Sequence, residues 1–176
     1  MEKQTPSRTK SALNFGAVLG FALMILALLT YVFELYENQW FGSLTWIVLI
    51  IGIIIGVKKY RDENMGGYIT FGQALGYGVL LAFFASIIVA FINFIYLGYV
   101  DDGFITYTLE NAETEMYNAG APDDQIESAL SITRKIMSPG VLSIIGIFTT
   151  TFLGFIISLI AAAFLKKEAD PFEESN

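Results

Sequence analysis

Two pairs of carboxylates are the side chains best suited to chemistry. Glu34 and Glu37 stand three apart in "FELYEN", so a helix would put them on one face. Paired carboxylates can bind a divalent cation or exchange protons. Asp101 and Asp102 form a second pair, directly after a long apolar stretch. Neither pair has an obvious third ligand nearby. The plainer reading makes Glu34 and Glu37 a solvated helix end, and makes Asp101 and Asp102 a helix exit and a helix N-cap. The chain contains no histidine and no cysteine, so the commonest general base, the commonest metal ligand and all thiolate chemistry are missing. "DDQIE" lacks the spacing and glycine of a calcium loop, and no glycine-rich phosphate loop is present. No catalytic, cofactor-binding or metal residue is assigned, and the chain is expected to be no enzyme.

The remaining polar candidates are two amides inside apolar sequence, Gln73 and Asn93. Either could line a pathway. The structural alternative is a hydrogen bond across helices, typically about 0.6–2 kcal/mol in a membrane, and it is the reading favoured here. Thr149, Thr150 and Thr151 are expected to bond to carbonyls one turn back. No acid or base falls in the middle of an apolar run. Ion-coupled pumps usually keep one there, which counts against a proton- or sodium-driven mechanism.

These residues sit on elements dictated by hydropathy. Of 176 residues, 55% are hydrophobic and 15% charged, against about 25% charged in an average soluble protein. Charge-free runs cover Ser11–Phe33, Trp40–Val57, Met65–Val100 and Ile136–Leu165. A bilayer core about 30 Å thick needs about 20 apolar residues in a helix. The expectation is an all-α fold, an integral membrane bundle of four transmembrane helices at about 11–36, 40–57, 69–99 and 139–165. An outer helical hairpin, about 100–138, is expected between the third and fourth, and the whole chain, 1–176, forms one membrane domain. Within the insert, Ile105, Leu109, Ala112 and Met116 share one helical face, and Ile126, Ala129, Leu130, Thr133 and Met137 share another. Gly120 suits the end of the first helix and Pro122 the start of the second.

Charge sets the expected orientation. Lys3, Arg8, Lys10, Lys58, Lys59, Arg61, Lys166 and Lys167 fall on one side of the four runs; only Arg134 and Lys135 fall on the other. The positive-inside rule then places both termini in the cytoplasm. The outer segments carry ten acids against two bases, a face that would repel nucleic acid. The first run is long for a signal peptide and is read as retained.

Small residues recur at helical spacing. Gly16 and Gly20, Gly52 and Gly56, and Gly72 and Gly76 each form G-x-x-x-G, and Gly154 heads a line through Ser158 and Ala162. A second line in the third helix runs Ala74, Gly78, Ala82, Ser86, Ala90. Lipid tails are as apolar as leucine, so close backbone contact rather than apolar burial drives association of membrane helices, and small residues permit it. The segments "NFGAVLG" (14–20) and "TFGQALG" (70–76) share F-G-x-x-L-G, which leaves open whether the two helix pairs are a repeat.

"GGYITFGQALGYGV", with the following Tyr- and Asn-containing half-helix and acidic segment, resembles the domain of unknown function 4199 family, found mainly in Bacteroidota. The resemblance covers about Lys10 to Lys167. Where the family pattern has Asp-Pro after the third helix, this chain has Asp-Gly in "YVDDGF". The resemblance implies a bacterial inner-membrane location and supplies no activity or site residues. The expected function is a non-enzymatic accessory or interaction subunit. It would meet the lipid bilayer throughout, and a membrane or periplasmic protein through residues 100–138. The alternative is a small transporter or channel built as a homo-oligomer. No cofactor is expected.

Overall fold

The computed structural model describes residues 7–35 and 38–168. It contains six helices: α1 Arg8–Val32, α2 Gln39–Asn64, α3 Phe71–Tyr99, α4 Gly103–Asn118, α5 Asp123–Ile136 and α6 Pro139–Leu165. Among the described residues there is no strand; a lone antiparallel bridge joins Ile69 to Lys167. Helices α1, α2, α3 and α6 are each long and apolar enough to cross a membrane.

The helix ends follow local chemistry. Ser7 Oγ accepts from the Lys10 amide, and Asn38 Oδ1 accepts from the Trp40 amide, each covering a backbone donor that the helix leaves free. Pro139 occupies the first turn of α6, where its missing N–H costs nothing. Gly120, at φ +76, follows the end of α4, and the Ala121 amide reaches back to the Met116 carbonyl.

Beyond shifts of up to three residues at the helix starts, two helix ends differ from the sequence expectation. Helix α1 ends at Val32 rather than at 36, and Glu34 turns the chain at φ 52. Helix α2 does not stop at Val57 but runs on to Asn64. "KKYRDEN" contains good helix formers and no Gly or Pro, and Lys59 pairs with Glu63 one turn on at 3.7 Å. The helix ends only as Gly66 (φ 64) and Gly67 (φ 88) supply left-handed backbone.

One end of the bundle is stitched together by polar contacts. The Arg61 guanidinium donates to the Leu165 carbonyl at 3.3 Å, and the backbones of Ile69 and Lys167 exchange hydrogen bonds of 2.8 and 2.9 Å. Tyr60 stacks on Tyr77, whose hydroxyl pairs with Ser11. The starts of α1 and α3 and the ends of α2 and α6 therefore gather together, and their basic residues with them. Helices α4 and α5 lie at the opposite end, between α3 and α6 in the chain, and touch each other.

Helix α3 is the centre. Its main neighbours are α6 and α1, with α2 touching all three more lightly. Many of the buried residues are small: Ala12, Ala74, Ala82, Ala85, Ser86, Ala90, Ser158, Ala161 and Ala162. Many large apolar side chains point outward, including Phe91, Phe148, Phe152 and Phe164. That inversion suits helices that associate by close contact in an apolar solvent.

The two F-G-x-x-L-G segments do not occupy equivalent places. Gly16 lies two turns into α1 and faces α3, while Gly72 is the second residue of α3 and faces no other helix. The contact between α3 and α6 is also far larger than that between α1 and α2. The packing gives the echo no structural counterpart.

Candidate functional site

The glycines divide sharply by what a side chain would meet. An ideal Cβ on Gly16 would stand 2.8 Å from both the Leu81 carbonyl oxygen and Phe84 Cβ, and one on Gly20 would stand 3.0 Å from the Ala85 carbonyl. On Gly78 it would run into the Ser158 hydroxyl, and on Gly154 into the Ala82 methyl. Gly52 makes room for Leu19, and Gly56 for Leu81 and Phe15. These six bring α1, α2 and α6 onto α3 or its neighbours. Gly72 and Gly76 do not act this way: among the described residues Gly72 has nothing within 4 Å, and Gly76 meets only the Arg8 guanidinium, 3.3 Å away. Both sit in the opening turns of α3, where the chain is only starting to approach its neighbours. They are a correction to the G-x-x-x-G reading; the working line on α3 is the other one, through Gly78.

Close packing closes the middle of the bundle. Tyr77, Leu81, Ala82 and Ala85 of α3, Ile53 and Val57 of α2 and Ala162 of α6 are all 0% exposed. Ser86 Oγ donates to the Phe83 carbonyl at 2.7 Å and lies 3.5 Å from Thr151 Oγ1. Ser158 Oγ is buried against Gly78 without a hydrogen-bond partner among the described residues. Of the three threonines expected to bond to carbonyls one turn back, Thr151 faces Ser86 across this seam.

Gln73 is not a group bonding across helices. It is the third residue of α3 and forms a capping box with Thr70: its Oε1 accepts from the Thr70 amide at 3.0 Å, while Thr70 Oγ1 accepts from the Gln73 amide at 3.4 Å. The T-x-x-Q spacing carried that signal. Glu34 stands at the end of α1, and Glu37 lies outside the described residues. At the start of α4, Asp102 takes the N-cap position without a side-chain bond. The neighbouring Asp101 supplies it instead, accepting from the Gly103 amide at 3.0 Å. Among the described residues no group of three or more carboxylates is placed to hold a metal ion.

Asn93 is different. It lines a cavity of about 250 Å³ at the α4–α5 end of the bundle. Leu23, Ala27, Thr30 and Tyr31 form its wall on α1, and Gly42, Thr45, Trp46 and Leu49 its wall on α2. Val89 and Asn93 come from α3, Thr150 from α6 and Phe104 from α4. The α1 and α2 sets recur at three- and four-residue steps, so each helix turns one continuous stripe inward. Thr30 satisfies its own hydroxyl on the Leu26 carbonyl at 2.9 Å. Asn93 Oδ1 is buried and has no partner among the described residues. Leaving such a group unpaired costs about 1–3 kcal/mol, so the position invites a donor. Above it, Tyr31 stacks on Tyr96 at 5.0 Å and meets the edge of Phe104 at 5.9 Å.

Of this cavity the sequence singled out Asn93 and, among the threonines of α6, Thr150. Tyr31, Thr45, Trp46, Phe104 and Thr150 come from four further helices, and no spacing within one helix links them.

No curated protein and no solved structure matches the chain. The sequence profile of the family described as "Protein of unknown function (DUF4199)" matches residues 14–167, so this bundle of four apolar, membrane-length helices belongs to that family.

Proposed function

We propose that the chain is a multi-pass protein of a bacterial inner membrane with both termini in the cytoplasm. It serves as a non-enzymatic accessory subunit whose contact surface is the α4–α5 hairpin on the outer side. The observation that carries this reading is the closed middle of the bundle, where Gly78 meets Ser158 and Gly154 meets Ala82 with no room for a methyl group. A single copy offers no conduit there. The gathering of Arg8, Lys10, Lys58, Lys59, Arg61, Lys166 and Lys167 at the end away from α4 and α5 supports the orientation. The hairpin also displays exposed apolar groups: Tyr117 is 73% exposed and Ile132 60%. Exposed aromatic and branched apolar groups on otherwise polar helices suit a protein partner.

The cavity at Asn93 favours a second reading, a small oligomeric transporter or channel with its pathway between copies. Native mass spectrometry of protein gently extracted from its own membrane separates the two. The accessory reading expects a stoichiometric second protein that is lost when residues 103–138 are replaced by a short Gly/Ser linker. A homo-oligomer unchanged by that replacement, with no second protein, would favour the transporter.

A further inference from the structure

The cavity at Asn93 combines three properties. Its acceptor is unmet: Asn93 Oδ1 is buried without a partner among the described residues. It is uncharged, since every lining residue is neutral at physiological pH. Its α2 wall is open among the described residues. A Cβ on Gly42 would meet none of them within 4 Å, and Trp46 on the same wall is 46% exposed. Toward α4, by contrast, the rings of Tyr31, Tyr96 and Phe104 cover it. Asn93 lies six residues before the end of α3, about 9 Å inside the helix end. That is near the level of membrane aromatic belts, where polar head meets apolar chain.

From these we infer that the cavity binds a neutral, hydroxyl-bearing lipid, which reaches Asn93 laterally from the bilayer between α1 and α2. A hydroxyl both donates and accepts, so it meets the amide whichever way round the amide stands. A phosphate or ammonium head would be stripped of water with no opposite charge to meet it, which excludes ordinary phospholipid heads. At about 250 Å³ the cavity falls below the roughly 300–1,000 Å³ of sites that enclose a whole ligand. It therefore takes the hydroxyl end and the first carbons, and the chain runs out past Gly42 into the bilayer. Of α4 and α5, only Phe104 lines this site.

The test uses the tryptophans. The chain has two, and Trp40 is 86% exposed, so Trp40→Phe leaves Trp46 as the sole reporter at the cavity wall. The full chain is placed in phosphatidylcholine nanodiscs and titrated with a brominated long-chain alcohol, and in parallel with the brominated alkane of the same length. The expected result is saturable quenching by the alcohol and only linear, bilayer-level quenching by the alkane. In Asn93→Leu the half-saturating mole fraction should rise about 2–10-fold, the equivalent of one lost hydrogen bond. Gly42→Leu fills open space and should preserve the fold while weakening quenching by the alcohol. Equal, unsaturating quenching by both probes would overturn the proposal. So would a saturating curve that neither substitution changes.

Discussion

Gln73 and Asn93 carry the same amide on the same helix, and their surroundings give them different work. Gln73 closes a capping box at a helix start, so Gln73→Leu should cost about 0.3–1.5 kcal/mol and leave the Asn93 cavity unaffected. Thermal unfolding in detergent, alongside Trp46 quenching, checks both halves of that statement. The glycines give a second contrast at this scale. Gly78→Leu must displace Ser158 and should destabilise by at least about 1–3 kcal/mol, through overpacking of the α3–α6 seam. Gly72→Ala projects into open space on a helix and should be neutral or stabilising by up to about 1 kcal/mol. Paired melting curves of the two variants measure this; equal losses would contradict the packing described. The sequence displayed all these glycines alike. Which of them face a neighbour depends on where each helix begins and how it is rotated, and G-x-x-x-G spacing contains neither.

At the scale of elements, the charge-free runs located four helices because a bilayer-length apolar run has few other uses. They misplaced the end of α2, because a charged stretch reads as a loop when hydropathy alone is consulted. Propensity and the Lys59–Glu63 pair carry the helix on to the glycines that stop it. The faces on α4 and α5 were legible at 3.6-residue spacing. Ile105, Leu109, Ala112 and Met116 are all partly covered, and Ile126 is buried. Yet α4 buries no residue fully and α5 only Ile126, so the pair adds little to the bundle. The ends it joins are close, since a Cβ on Gly98 would lie 3.6 Å from Pro139. Replacing residues 103–138 with a short Gly/Ser linker should therefore leave a folded bundle. The cost should be no more than about 2 kcal/mol, chiefly the lost Phe104 contact with Tyr31. Size-exclusion behaviour and the melting temperature of the shortened chain check it; aggregation would show that α4 and α5 are integral to the fold.

For the whole molecule, one arrangement connects the parts. Small residues draw α1 and α6 onto α3, many large ones point outward, and basic residues collect at the end opposite α4 and α5. The cavity at Asn93 lies near the other end. Its existence was beyond the reach of the sequence, because five helices build it and one chain read alone does not say which helices are neighbours. The central claim is that these four helices cross the membrane and leave α4 and α5 on the outer side. The chain's lack of cysteine makes this directly testable, since each introduced thiol is the only one. Glu113→Cys on α4 and Glu63→Cys at the end of α2 would be exposed in intact spheroplasts to a membrane-impermeant maleimide. The account predicts labelling at position 113 before lysis and at position 63 only after it. Labelling at 63 in intact spheroplasts, or protection of 113, would contradict it.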